Sequence, residues 1–391
     1  MKTAVLLTTA ALALAACGSS APSGGPGAGS LVVVSAPLST TPWIGTAAER
    51  GARLAAQQLG DVRVEVRDNR GSPAQAAADA REAVSAGAVA LITDGVGAVA
   101  VSEVTDPAAL PVFVVFEGGE SLVDVQQRPT LFRLAPANGP MSRRLASYLS
   151  EKADAVALLG DDTSYGREGV AATKAELARN DVRVTSSAVV PTGARDVSAQ
   201  VLAARRGGAG ALVVWAGAPE VAEVLAAARR AGWDVPVYSG PTAEDPLVRQ
   251  RLADHPEWVE GLTFVSFRIT SETGPEPFAA YRSAYEKEYG AEQVGVGGLV
   301  QPPDWSTYSY DAVQLVRAAL RNSGGRGGQP LMDALDTTVV TGANGDERGY
   351  GETDREGVSP DDMYFARFGS DLRFTPVTDD ILSTNLPPVQ Q

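Results

Sequence analysis

Leu31-Val32-Val33-Val34-Ser35-Ala36 is the stretch on which the fold turns. Its leading apolar run lacks the polar alternation of a half-exposed strand, which is the pattern of a parallel strand buried on both faces. The residues after it keep to the unit such a strand requires. A loop over Pro37 to Ile44 leads to an alanine-rich helix over Gly45 to Leu59, and Val62 to Arg67 alternates apolar and charged residues like a strand at a sheet edge. Ser72-Pro73 opens the next helix, with serine as N-cap and proline at the first helical position.

The unit then recurs. Val89 to Thr93, Val112 to Phe116 and Leu131 to Leu134 read as strands, with a helix over Ala98 to Thr105. Asn138 to Pro140 opens a helix in which Met141, Leu145 and Leu149 share a face, and a lobe boundary is set near Pro136. A second block repeats the pattern: strands over Ala155–Leu159, Val182–Val190, Ala211–Trp215, Val235–Ser239 and Gly261–Phe267 alternate with helices over Gly166–Arg179 and Asp196–Arg206 and others begun by Pro219 and by Asp245-Pro246. After Pro275 the chain turns helical over Phe278–Tyr289 and Asp304–Arg321. Met363–Phe368 and Leu372–Phe374 are late strands, and Thr341 to Ser359 reads as a Gly/Asp-rich loop. Such alternation produces right-handed crossovers and parallel sheets covered by helices. The chain is too long for one core of average size, so the expected class is α/β with two doubly wound, Rossmann-like lobes.

The N-terminus bears on location. Lys2 precedes an apolar run from Ala4 to Ala13, closed by Leu14-Ala15-Ala16-Cys17. A spanning helix needs ~20 apolar residues, so this shorter run, succeeded at once by Gly18-Ser19-Ser20, reads as an export signal. Leu-Ala-Ala-Cys resembles the lipobox of bacterial lipoproteins, which implies cleavage after residue 16, acylation of Cys17, and anchoring at the outer face of the cell membrane. Gly18 to Ser30 is uncharged and aperiodic, a flexible tether. Cys17 is the sole cysteine, so an exported chain has no disulfide. The formal charge of −14, made more negative by loss of Lys2, opposes binding to phosphate backbones and excludes nucleic acid as a main partner.

Three further motifs carry possible chemistry. Gly95-Val96-Gly97-Ala98-Val99-Ala100 comes after a strand and fits a dinucleotide fingerprint, with Glu117 about 20 residues on where a ribose-binding acid is expected. It stands on an internal strand rather than the first of its block, so an exported dehydrogenase is the distant alternative. His255, the sole histidine, precedes Pro256 at a helix end, where nothing supplies a hydrolytic triad. Asn344-Gly345-Asp346-Glu347 carries oxygen ligands without calcium-loop spacing and reads as a turn. The chain is therefore expected to be non-enzymatic, with neither cofactor nor metal.

The order of motifs is more specific than any one of them. The Pro37-Leu38-Ser39 loop, Gly51-Ala52-Arg53-Leu54-Ala55, and Asp68-Asn69-Arg70-Gly71-Ser72-Pro73-Ala74-Gln75-Ala76 stand in register with Leu131-Phe132-Arg133 and Asp161-Asp162-Thr163-Ser164-Tyr165-Gly166-Arg167. Ala227-Ala228-Arg229-Arg230-Ala231-Gly232 and Tyr308-Ser309-Tyr310-Asp311-Ala312 complete the series. Together they resemble the branched-chain amino acid (Leu/Ile/Val-binding) type of ABC-transporter solute-binding proteins, of the type I periplasmic binding protein fold. The resemblance covers nearly everything after Ser30. It implies a three-crossover hinge, with lobe 1 formed by 31–135 and 268–355 and lobe 2 by 136–267 and 356–391. It also implies a monomer that closes on a small solute and delivers it to ABC permease subunits. A ligand sensor or cell-envelope interaction protein is the alternative on the same scaffold.

In open parallel sheets ligands lie beyond the carboxyl ends of the strands. That places the candidate site on Ser39 and Trp43 in the first loop, Gly97 in the Asp94–Ala98 loop, Glu117 and Gly118 after the next strand, and Ala218 and Thr242 in the second lobe. Tyr165 matches a tyrosine that closes over the ligand in this family, and Trp43 and Trp305 are expected in loops as pocket walls. Phe116-Glu117-Gly118-Gly119 departs from the small hydroxylated residues that amino-acid binders use for the ligand carboxylate. An acid there, directly before Gly-Gly, points to a ligand offering an amine, amide or hydroxyl.

Overall fold

The Leu31–Ala36 run lies in β1 (Ser30–Ala36), buried from Leu31 onward. The computed structural model describes residues 29–267, 276–290, 303–359, 363–372 and 374–377. The export signal, Cys17, the tether up to residue 28, and segments 268–275 and 378–391 of the lobe assignments lie outside them.

From β1 the chain enters α1 (Pro42–Leu59), β2 (Val62–Asp68), α2 (Pro73–Ser85), β3 (Ala90–Thr93), α3 (Ala98–Thr105), β4 (Val112–Val114) and β5 (Leu131–Arg133). These strands form an all-parallel sheet in the order β2-β1-β3-β4-β5. β2 is the edge its alternating sequence indicates, with a half-exposed burial pattern. Ser72 caps α2 by accepting from the Gln75 N–H at 3.4 Å.

α4 (Asn138–Ser150) carries the chain to β6 (Ala155–Asp161), α5 (Ser164–Arg179), β7 (Arg183–Val190), α6 (Ser198–Arg206), β8 (Ala211–Trp215), α7 (Ala218–Arg230), β9 (Val237–Ser239), α8 (Pro246–Arg251) and β10 (Thr263–Phe267). Beyond these come α9 (Glu276–Tyr289), α10 (Thr307–Asn322), α11 (Gln329–Leu335), β11 (Val339–Thr341), β12 (Glu347–Gly349), β13 (Met363–Phe368) and β14 (Phe374–Pro376). The second sheet runs β14-β13-β10-β9-β8-β6-β7. Its first five strands in chain order are parallel, and β13 and β14 add antiparallel. The chain leaves the first sheet after β5, returns to pack α10 on α1 and β3, and rejoins the second sheet at β13.

Each sheet buries both faces, as parallel sheets with crossover helices must. Val33, Leu91 and Val112 face α2 and α3, whereas Val32, Ile92 and Phe113 join a core that continues into Val156, Leu158 and Val213 of the second sheet. No helix among the described residues is long and apolar enough to cross a membrane.

Three local expectations change. The first helix starts at Pro42, because proline suits a first helical position, so Trp43 is helical rather than in a loop. α5 starts at Ser164 under a Thr163 cap, so Tyr165 sits in a first helical turn and not on a mobile loop. The Thr341–Ser359 span is only partly loop: Glu347–Gly349 pairs antiparallel with Val339–Thr341. Its turn holds Asn344-Gly345-Asp346, where Asn344 Oδ1 accepts from the Asp346 N–H at 3.1 Å and Gly345 has φ 87°.

Candidate functional site

The carboxyl ends of β3 and β4 open onto a groove of about 800 Å³ lined by residues 95–99, Glu117, the 119–124 segment, Gln127 and Arg128, and on the opposite side by Ser164 and Glu168 of α5. The groove thus lies between loops of the first sheet and a helix of the second. Two glycines shape its floor. Gly95 has φ 112°, and a side chain there would overlap Cβ of Glu117. Gly97 caps α3 at φ 67°, with Pro73 Cα 2.6 Å from where its Cβ would stand. Both use backbone that L-residues rarely adopt.

Glu117 is half-buried, and burial pushes its carboxyl above the usual range, with Glu168 and Asp161 adding to the rise. Its Oε1 accepts from the Gly119 N–H at 3.0 Å. Arg133 draws it back down, yet that fully buried guanidinium donates to the carbonyls of Glu117, at 3.3 Å, and Gly119, at 2.8 Å, rather than to the carboxylate. Among the described residues no cation forms an ion pair with Glu117. Across the groove, Glu168 accepts from Ser121 Oγ at 3.0 Å, while its Oε2 is buried with no hydrogen-bond partner. Asp124 is satisfied by the Gln126 and Gln127 N–H groups, and Arg128 donates to the carbonyls of Leu122 and Ser121. Among the described residues, the groove therefore offers carboxylates with acceptor capacity and no free cation.

Gly97 and Glu117 meet in this groove. Gly118 lies just behind it, with no room for a side chain: Asn138 Oδ1 and the Pro136 carbonyl lie 2.7 and 2.8 Å from its missing Cβ. Tyr165 and Thr242 meet each other instead, the tyrosine hydroxyl 3.4 Å from Thr242 Oγ1, which donates to the Ala216 carbonyl at 2.7 Å. The Tyr165 ring stands edge-on to buried Trp215 at 5.4 Å, and a side chain on Gly240 would overlap its hydroxyl. Trp43 and Trp305 also find each other, edge-on at 4.7 Å, and Phe116 stacks on Trp305 at 5.5 Å. Both tryptophans are buried in a small core with Ala47, against which Phe116, the sequence neighbour of Glu117, is packed, and neither lines the groove. Ser39 is exposed and donates its N–H to Asp68 at 3.3 Å; Ala218, at the start of α7, is buried in the second lobe's core. Neither lines the groove.

Sequence reasoning missed Glu168, Ser121, Glu120 and Asp124. Ser164 and Glu168 are spaced i and i+4, a signal that they share a helix face, but which face fronts the groove depends on packing. The rival signals resolve on position. Glu117 packs over Gly95, and a carboxylate so close to the glycine turn would repel a pyrophosphate bound there. His255 is exposed, stacked on Trp258 at 4.0 Å beside Glu257.

The fold has known counterparts. A periplasmic binding protein type 1 from Bordetella pertussis Tohama I superposes with TM-score 0.79 at 18% identity, covering 89% of this chain and 100% of its own. The leucine binding protein LivK of Thermotoga maritima gives 0.77 at 17% identity, covering 89% and 98%. The branched-chain amino acid transporter substrate binding protein LivJ of Streptococcus pneumoniae, in complex with isoleucine, gives 0.76 at 20% identity, covering 89% and 99%. No curated protein matches the chain. At such identities these structures speak for the two-lobed α/β architecture alone. The sequence itself carries the rest: the family model described as periplasmic binding protein matches residues 28–372, which is nearly all of both lobes, and the chain belongs to that family.

Proposed function

We propose that this chain is a lipid-anchored, extracytoplasmic solute-binding protein that captures a small solute bearing an amine, amide or hydroxyl and delivers it to an ABC importer. The observation that carries the ligand class is Glu117, half-buried in the groove between the lobes with its carboxyl pushed up by desolvation and, among the described residues, no cation paired to it. A buried acid in that state favours a ligand supplying a proton donor or positive charge and disfavours a bare hydrophobic acid. Glu168 on the facing helix, with one oxygen unsatisfied, supports the same choice. Closure then comes from contacts a ligand makes to both lobes at once.

A thermal-shift screen of the mature protein against amino acids, amides, polyamines and aromatic acids tests the class, since a ligand at a hundred times its Kd adds roughly 2.7 kcal/mol. Calorimetry then tests the residue. Glu117→Ala is expected to weaken the hit at least tenfold, because loss of a buried charged hydrogen bond costs about 2 to 5 kcal/mol, whereas Glu117→Gln costs least for a neutral donor. Parental affinity in Glu117→Ala would make Glu117 a solvated loop acid and end the reading. Anchoring rests on Cys17: Cys17→Ala is expected in the soluble fraction after membrane sedimentation, and retention in the pellet without detergent would mean another anchor.

A further inference from the structure

Arg133 is the last residue of β5, and it is fully buried. Its backbone joins two of the passages between the lobes. The Arg133 N–H donates to the Arg355 carbonyl at 2.8 Å, and its own carbonyl accepts from the Gly357 N–H at 2.8 Å and the Tyr350 hydroxyl at 3.3 Å. The outgoing passage runs from Arg133 through Pro136 to α4; the returning one runs from Arg355 through Gly357 towards β13. They are pressed together at Gly357, where an added Cβ would stand 2.9 Å from the Arg133 carbonyl and 2.7 Å from Leu134.

The side chain reaches a third element. Nη1 and Nη2 hold the carbonyls of Glu117 and Gly119, on the loop that puts Glu117 in the groove. Nε faces Glu356 Oε2 of the returning passage at 3.1 Å, an ion-pair contact without hydrogen-bond alignment. A planar fork with five donors can serve two carbonyls and a carboxylate together; an ammonium with three cannot hold that geometry. The same loop is tied from its other side, where the Asn138 N–H donates to the Gly118 carbonyl at 2.7 Å. A buried guanidinium must have such partners, so their arrangement is fixed by its presence.

We propose that Arg133 is a positioning residue that fastens the loop carrying Glu117 to two of the interlobe passages, the outgoing one at Arg133 and the returning one at residues 355–357, so that the loop is held in register with them. The link is internal to the protein and is read without ligand, so its test survives a wrong choice of solute.

Hydrogen exchange on the ligand-free full chain decides it. The Gly119 N–H is bonded to Glu117 Oε1, and the Leu122 N–H donates to the Gly119 carbonyl at 3.2 Å, so both amides report on the loop. In Arg133→Lys, exchange in the 117–122 and 355–357 segments is expected to rise at least tenfold together, with α7 unchanged. Glu356→Gln, which keeps the shape and removes the facing charge, is expected to raise both by a smaller factor. The double variant is expected to match Arg133→Lys alone. Parental exchange at 117–122 in a folded Arg133→Lys, or a uniform rise throughout the chain, would overturn the proposal. If Arg133→Lys does not fold, Glu356→Gln carries the test: faster exchange at 117–122 supports the link, and parental exchange there refutes it.

Discussion

The two lobes build the same parallel unit and finish it differently. At the carboxyl ends of β3 and β4 the first lobe leaves space, with Gly95 and Gly97 in left-handed backbone and Glu117 projecting over them. At the matching ends of β6, β8 and β9 the second lobe fills it: Tyr165 stands on Trp215, its hydroxyl meets Thr242, and Gly240 leaves room for the ring. What the second lobe gives to the groove comes from a helix face, through Ser164 and Glu168. On the proposed function, ligand chemistry is set mainly by the loops of the first lobe, with the second lobe adding Glu168 from a helix face.

The largest test of that contrast removes the packing behind that helix. Trp215 is fully buried and donates its indole N–H to Thr173 Oγ1 at 2.8 Å. Trp215→Ala is expected to cost about 3 to 5 kcal/mol in urea unfolding, from lost burial and the cavity left behind. Phe116→Ala, at a half-buried ring of the first lobe, is expected to cost less than about 3 kcal/mol. Equal costs would mean that the first lobe's strand ends are as tightly packed as the second's.

A smaller effect tests the first lobe's strand ends by pH. Asp94, at the end of β3, is buried, and desolvation pushes its carboxyl to about 6 despite hydrogen bonds from Asn69 at 2.7 Å and Thr93 at 3.3 Å. The folded state holds this proton more tightly than the unfolded chain does. Its contribution is therefore complete below the unfolded value of 3.8 and is lost as pH rises to about 6. The loss is on the order of 1 to 3 kcal/mol. Asp94→Asn, which can still accept from Asn69, is expected to flatten the melting temperature between pH 4 and 6 relative to the parent. An unchanged slope would place the titration elsewhere.

The smallest concerns Tyr165. Its hydroxyl contacts Thr242 at 3.4 Å, a long hydrogen bond, so Tyr165→Phe is expected to cost about 0.5 kcal/mol and to leave solute affinity within about threefold. A tenfold loss of affinity by calorimetry would show that the hydroxyl turns to the ligand, and would make the second lobe a partner in recognition.

Much of this fold is legible in the chain itself. β1, the capped start of α2 and the edge character of β2 come from apolar runs, a Ser-Pro pair and alternation, all of which act within a few residues. Glu117 is visible as an acid after a strand and before Gly-Gly. The Val339–Gly349 hairpin is not, because its three-residue strands are too short to show a period of their own. Its turn is held by the Ala343 N–H donating to Asp311 Oδ1 at 2.8 Å and by the buried Arg348, 3.4 Å from Asp311 Oδ2.

The sequence by itself determined the alternating α/β class, the two repeated blocks, the family, and an acid at a strand end. Only the tertiary structure decided that Trp43 and Trp305 pack on each other, that Tyr165 packs on Trp215 beside Thr242, and that Glu168 and Arg133 converge on the Glu117 loop from separate elements. The physical reason is range. Backbone hydrogen bonding and hydrophobic period are local and leave a mark along the chain, whereas a side chain's partner across a groove depends on how whole helices and sheets pack, which no short stretch encodes.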